Sequence, residues 1–248
     1  MRLAIISDIH EDIQGLNRIL KKADRIGYDR LVCLGDVSGF SVPYYLHQKE
    51  RNAHECLGLL KEKSCLLVPG NHDFHAAARI PESSPLFEFP EDWYALDYPE
   101  RKKQSDGNIW LHEEDDLDPL YSREDKEYLG SLQEYQVIKC GEFSVLLSHY
   151  VYPNLFGIHK RFYNDRAEFS AHFEYMEKQN CALSFHGHTH HQGISVAGTG
   201  YLRHYRFVKL RLNEFPVCVG IPPVAGNHFQ SGFCIFDSGS NELRAIRC

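Results

Sequence analysis

No apolar run in this 248-residue chain approaches the roughly 20 residues of a membrane-spanning helix, so no membrane partner is expected. Basic charge is not in excess either. Lys and Arg number 27 against 34 Asp and Glu, a formal net charge of −7. A general surface for holding nucleic acid through its phosphates is therefore not expected. The eight cysteines are scattered and include no close metal-binding pair. Cys33, Cys65 and Cys234 fall in apolar runs, where a small buried thiol is the ordinary use. Reduced cysteines suit a cytoplasmic protein better than a disulfide framework does. The segment after Met1-Arg2 is too short for a signal-peptide core and lacks a small-residue cleavage site, and it reads as a first strand. No internal repeat, low-complexity tract or linker is visible, so one domain over residues 1–248 is expected. What the chain does have is an ordinary apolar content of 43% and fifteen histidines, a high count for its length.

The histidines matter by position. Pro69-Gly70-Asn71-His72-Asp73 follows Cys65–Val68, a short apolar run that reads as a buried strand. An amide, an imidazole and a carboxylate thus arrive together at a strand tip. Other strand ends look alike. Leu3–Ser7 runs into Asp8-Ile9-His10, whose two polar side chains share one side of an extended chain. Ile13, Leu16, Leu20 and Ala23 then give helical spacing, and Leu31–Leu34 gives a second buried strand ending in Gly35-Asp36. The spacing of Leu46, Ala53, Leu57 and Leu60 predicts a helix over 43–61. This is β-α-β-α-β, whose right-handed crossovers bring the strand carboxyl ends to one edge of a parallel sheet.

Residues 74–134, rich in proline and aromatics, read as an irregular excursion beside that edge. A helix over 122–132 follows, with Ser122 as N-cap and Asp125 three residues on. Phe143–Leu147 is a strand ending at His149, and 164–178 is a helix. Cys181–Phe185 is a strand ending in Gly187-His188-Thr189-His190. Short β runs at 193–197, 204–212, 216–219, 233–237 and 243–247 close the chain, the last two as a hairpin.

Five strand ends therefore carry Asp8 and His10; Asp36; Asn71 and His72; His149; and His188 and His190. Carboxylates, an amide oxygen and imidazoles form a hard-to-borderline ligand set suited to Mn²⁺, Fe, Zn²⁺ or Ni²⁺. Six or seven ligands exceed what one catalytic ion with an open position needs, and they suit two ions roughly 3.5–4 Å apart. A lone carboxylate such as Asp36 is the natural bridge between two cations that repel.

Asp8-Ile9-His10, Gly35-Asp36, Gly70-Asn71-His72-Asp73, His149 and Gly187-His188-Thr189-His190, in that order, resemble the calcineurin-like metallophosphoesterase superfamily. The resemblance is to its small single-domain bacterial and archaeal phosphodiesterases. It implies a four-layer α/β/β/α sandwich with the metal site at the strand carboxyl ends. It also implies that Asp8, His10 and His190 hold one ion, that Asn71, His149 and His188 hold the other, and that Asp36 bridges them. His72 would face the substrate as the catalytic group. The implied activity is hydrolysis of a small phosphodiester or phosphomonoester by a hydroxide that bridges two divalent ions, Mn²⁺ first among the candidates.

Departures from the family pattern are visible. Glu11-Asp12 replaces a common Gly-Asn, which would put the Glu11 carboxylate near the substrate entrance. Val37-Ser38 lacks the Asp that supports the catalytic histidine in the phosphatase branch. Residues 221–226 take the place of a Gly-Ser turn. The acidic run 113–118 reads as a solvated loop, the aromatics of 87–98 as packing, and His112, His159 and His204 as surface or substrate-side groups. A DNA-end nuclease lacks support in length and basic charge. A non-catalytic scaffold for protein partners would be marked by loss of the histidine that is present here as His72.

Overall fold

The computed structural model describes residues 1–82, 84–226 and 231–248. β1 (Arg2–Ile6) leads to α1 (Ile13–Ile26), β2 (Arg30–Cys33) and the two-residue strand β3 (Phe40–Ser41). Next come α2 (Ala53–Glu62), β4 (Leu66–Leu67) and α3 (Asn71–Ala76). The middle of the chain holds α4 (Tyr98–Ser105), β5 (Asp116–Leu117) and α5 (Arg123–Gly130). β6 (Tyr135–Cys140), β7 (Phe143–Ser148), α6 (Ser170–Lys178), β8 (Cys181–His186), β9 (Ile194–Gly198) and β10 (Tyr201–Tyr205) follow. The chain closes with β11 (Lys209–Arg211), β12 (Val217–Gly220), β13 (Gly232–Asp237) and β14 (Glu242–Arg247).

Local chemistry explains the helix starts. The Asp12 carboxylate accepts from the Gly15 N–H at 2.7 Å and caps α1, whose Ile13, Leu16, Leu20 and Ala23 are all buried. At α5, Ser122 and Asp125 cap each other reciprocally, as their spacing predicts.

Two six-stranded sheets form, in the orders β11-β14-β13-β1-β2-β4 and β10-β9-β12-β8-β7-β6. β1, β2 and β4 run parallel, as do β7, β8 and β12. The strands alternate. Leu3 and Ile5 of β1 meet Val145, Leu147, Leu183 and Phe185 of the second sheet, while Ala4 and Ile6 meet Leu16, Ile19, Leu57 and Leu60 of the helices. On the far side Met176 of α6 packs on Leu146 and Cys181. The layers are therefore helix, sheet, sheet, helix, and each fully buried aliphatic side chain contributes on the order of 2 kcal/mol. Among the described residues all eight cysteines are free, and no helix is long and apolar enough to cross a membrane.

Three elements differ from the sequence-based expectation. The helix expected over 43–61 begins only at Ala53, where Asn52 caps it by accepting from the Glu55 N–H. Residues 42–50 are turns instead, and Leu46, expected on the apolar face, is exposed. The expected helix over 164–178 opens as a 3₁₀ turn at Arg166–Phe169, capped by Asp165 and Glu168, before α6. The expected strand over 204–212 is split. β10 pairs with β9 in one sheet and β11 with β14 in the other, so the chain crosses between sheets at 206–208. His159 is not at the surface. It is buried, with Nε2 3.2 Å from Ser84 Oγ and its N–H donated to Asn154.

One buried histidine outside the strand-end cluster sets a pH dependence. His172 on α6 accepts from the Tyr152 N–H at 3.0 Å and lies 2.9 Å from the Ser184 hydroxyl. Burial, then the nearby His186, pushes its pKa down to about 3. The folded pKa lies below the ordinary 6.5, so the unfolded chain binds this proton first. Stability is then lost as pH falls from about 6.5 toward 3, by up to about 1.4 kcal/mol per pH unit. Urea unfolding at pH 6.5 and 5 should show the native chain losing about 2 kcal/mol more than His172→Gln does. Equal losses would refute the assignment.

Candidate metal centre

The strand ends converge. The Asp8 carboxylate, two residues past β1, accepts from the His188 N–H at 3.0 and 3.1 Å, joining an end of the first sheet to an end of the second. Asp36, just past β2, accepts from the His72 N–H at 3.0 Å through Oδ1. Its Oδ2 lies 3.2 Å from His149 Nε2 and 3.9 Å from His10 Nε2. His190 Nε2 lies 3.3 Å from Asp8 Oδ1 and 3.1 Å from His10 Nε2, and His149 Nε2 lies 3.2 Å from His188 Nδ1.

Metal-ligand atoms gather within 4.8 Å of one another in three overlapping groups: Asp8, His10 and His190; Asp36, His149 and His188; and His10, Asp36 and His72. Asp36 belongs to two of them. The amide oxygen of Asn71 is buried beside them and has no hydrogen-bond partner among the described residues. A buried orphan acceptor of that kind costs about 1–3 kcal/mol unless something occupies it.

Backbone carbonyls set the imidazole tautomers. His10 Nδ1 lies 2.7 Å from the Gly39 carbonyl, and His149 Nδ1 lies 2.7 Å from the Leu34 carbonyl. A carbonyl only accepts, so each Nδ1 carries the proton and each Nε2 is turned toward the cluster. Burial, then His190, pushes the His10 pKa down to about 3. Burial also lowers His72, and it holds His188 well below the usual range. For Asp8 burial works upward, but His190 and His149 outweigh it and hold the carboxyl well below the usual range. Asp36 behaves likewise, with His149 and His72 outweighing burial. Burial is also outweighed at His149, where the two carboxylates raise the pKa to about 9.

The backbone carries strain at these positions. Asp8, His10, Asp36, His188 and His190 all have φ between 45° and 66°, the left-handed region that side chains disfavour. Gly70 permits a close approach of the turn to Asp36, since a Cβ there would collide with the Asp36 carboxylate.

The centre forms the floor of a cleft of about 520 Å³. His72 lines it, with its ring 4.2 Å from that of Trp110. Tyr45 stacks on His10 at 4.8 Å and Phe162 on His188 at 5.1 Å. Periodicity in sequence gave no sign of these aromatics. Pairing of short segments places them: Ile109 bridges His159, and the Trp110 N–H reaches the Ile158 carbonyl at 2.7 Å.

Two expectations about charge are reversed. Glu11 is not at the entrance. It is buried, with Oε2 paired to Arg51 at 3.0 Å and Oε1 accepting from the Gly39 N–H. The acidic run is not simply solvated either. β5 pairs with β3, and Glu113, Asp115 and Asp116 become a cleft wall. None of the described residues lining the cleft is Lys or Arg. Asp73, the last residue of the Gly-Asn-His-Asp turn, points away and ties the turn to the β2 loop. It accepts from the N–H groups of Val37, Ser38 and Gly70 and from the Ser38 hydroxyl. Burial, then the Asp36 charge, raises its pKa to about 6. The 221–226 turn is pinned to the end of β1 through Val224 N–H to Ser7 and Ala225 N–H to Asp8. His186, His191 and His204 stand outside the three groups of metal-ligand atoms.

Comparison with known families matches residues 1–209 to the calcineurin-like phosphoesterase superfamily domain. The chain belongs to that superfamily. A metallophosphoesterase from Sphaerobacter thermophilus superposes with a TM-score of 0.64 at 21% identity, over 100% of this chain and 87% of that one. A hypothetical protein from Pyrococcus horikoshii OT3 superposes with a TM-score of 0.62 at 14% identity, over 99% and 87%. At such identities these likenesses establish the fold alone. An uncharacterized protein of Methanocaldococcus jannaschii is 36% identical over 72 residues, 29% of this chain and 26% of that protein. The superfamily fold, with two mixed sheets and Asp/His clusters at their edge, is the arrangement expected from the sequence.

Proposed function

We propose that this phosphoesterase-superfamily chain hydrolyses a small phosphodiester at a pair of divalent ions. Asp8, His10 and His190 would hold one ion and Asn71, His149 and His188 the other, with Asp36 shared between them. The orphaned Asn71 oxygen carries the proposal. It is a buried oxygen donor, beside imidazole nitrogens turned inward by backbone carbonyls and beside carboxylates, and this is the donor chemistry of a borderline divalent cation such as Mn²⁺, Fe, Zn²⁺ or Ni²⁺. The ions, when bound, supply Lewis-acid polarisation of the phosphoryl group and a water acidic enough to attack near neutral pH.

The rest falls to the chain's own groups. The cleft walls of Tyr45, Trp110 and Phe162 exclude water around the ester. The ring of His72 lines the cleft between Trp110 and His10, and as a neutral imidazole it donates a hydrogen bond to the leaving oxygen as the P–O bond breaks, while the proton released by the attacking water ends on that oxygen. An alcohol and a phosphomonoester leave.

The acidic wall selects for charge. A carboxylate roughly 8 Å from an extra substrate charge, in a half-wet cleft, opposes it by about 1 kcal/mol. Glu113, Asp115 and Asp116 together favour a singly charged diester over a doubly charged monoester. The test is hydrolysis of bis(p-nitrophenyl) phosphate and p-nitrophenyl phosphate by chelator-treated protein with and without added Mn²⁺. Metal-dependent turnover with about 100-fold higher kcat/KM for the diester is expected, and Asp116→Asn should narrow the gap. Absence of turnover with Mn²⁺, Fe²⁺, Zn²⁺ and Ni²⁺ alike would overturn the assignment.

A further inference from the structure

A second group of ligand-type side chains lies outside the central cluster. His75 sits near the end of α3, one turn beyond His72. His112 and Asp118 flank the acidic wall. The rings of His75 and His112 stack, 4.5 Å apart and 11° from parallel. One ligand atom from each of the three residues lies within 4.8 Å of the other two. His112 Nε2 is shielded from solvent and has no hydrogen-bond partner, although Asp118 Oδ1 stands 3.5 Å away. His112 Nε2 thus has no hydrogen-bonding use among the described residues for the space it faces.

We propose that His75, His112 and Asp118 bind a further divalent cation of the Zn²⁺ or Co²⁺ class, which clips α3 to the cleft wall. Two imidazoles and one carboxylate match such an ion and leave room for water as the remaining ligand. Hard cations such as Mg²⁺ and Ca²⁺ call for mostly oxygen ligands and would not be held. Burial, then His112, pushes the His75 pKa down to about 3, so its ring is neutral and ready to ligate. Arg101 and Lys126 act on His75 in the same direction, so affinity here comes from nitrogen ligation rather than from net charge. Zn–N distances of about 2.0–2.1 Å require the two rings to swing out of their stack, because each lone pair lies in its own ring plane and nearly parallel planes do not meet at one ion.

The position gives the ion a consequence. α3 carries Asn71 and His72, and the segment ending at Asp118 carries Trp110, Glu113, Asp115 and Asp116. An ion between His75 and His112 fastens these two sides of the cleft together.

Metal content after loading with Zn²⁺ and gel filtration tests the site. His112→Ala and Asp118→Asn should each lose about one equivalent per chain relative to the native protein. Asp118→Asn guards against misfolding, because that side chain is 86% exposed. Asp36→Asn should keep this ion, as shown by Co²⁺ absorption that falls by one equivalent's worth in the double variant Asp36→Asn with His112→Ala. A thermal shift with Zn²⁺ in the Asp36→Asn background should likewise shrink with His75→Ala. Equal Zn²⁺ content in the native protein, His112→Ala and Asp118→Asn would overturn the site and leave an ordinary ion pair.

Discussion

Asp36→Asn should remove at least one of the two central ions and lower turnover by roughly 10³-fold or more. The magnitude follows from charge. Two divalent cations about 4 Å apart repel by roughly 16 kcal/mol even at an effective dielectric of 20. Asp36 is the single carboxylate common to both sides, 3.2 Å from His149 and 3.9 Å from His10, and it is wholly buried. Asparagine keeps the shape and the Oδ1 acceptor for the His72 N–H but removes the charge. Fold and secondary structure should therefore persist while the ions do not. Elemental analysis of gel-filtered protein, beside turnover of bis(p-nitrophenyl) phosphate, decides the matter. Two ions bound at full occupancy in the variant would rule out a bridging role.

His72→Ala should lower kcat by about 10²-fold and leave the central ion content unchanged. Its ring lines the cleft, and only its backbone N–H holds Asp36. Alanine retains that N–H. KM should change much less than kcat, because the lost hydrogen bond to the leaving oxygen matters in the transition state. A fall in bound metal would instead make His72 a ligand, a use its grouping with His10 and Asp36 also permits. Unaltered turnover would remove it from the chemistry altogether.

The convergence of Asp8, His10, Asp36, Asn71, His149, His188 and His190 was legible because it depends on short-range facts. Each stands a few residues past a buried apolar strand, and parallel crossovers send such ends to one edge. Ser122 and Asp125 were legible for the same reason, since a capping box is complete within four residues. The cleft walls were not. Glu113, Asp115 and Asp116 face the centre because a two-residue strand finds Phe40 and Ser41, some seventy residues earlier in sequence. Nothing in the local pattern of an acidic run encodes that pairing. Glu11 misled for a related reason, because its partner Arg51 lies forty residues away. The early helix start at 43 was an error of periodicity. Leu46 happens to extend the apolar spacing of α2, yet Asn52 offers a stronger cap and residues 42–50 turn instead.

The left-handed backbone at Asp8, His10, Asp36, His188 and His190 bears on protein engineering. Each such residue disfavours its own conformation by about 1 kcal/mol, so five together approach the whole net stability of an ordinary domain. Copying the seven side chains onto a relaxed α/β scaffold would relax these dihedrals and swing the donors out of register. A graft would have to carry the loops with it, including the Asp73 contacts to Val37, Ser38 and Gly70 that hold one of them taut. By the same logic, saturation mutagenesis at Asp8 and Asp36 should return asparagine and glycine among the folded clones and almost no valine or isoleucine.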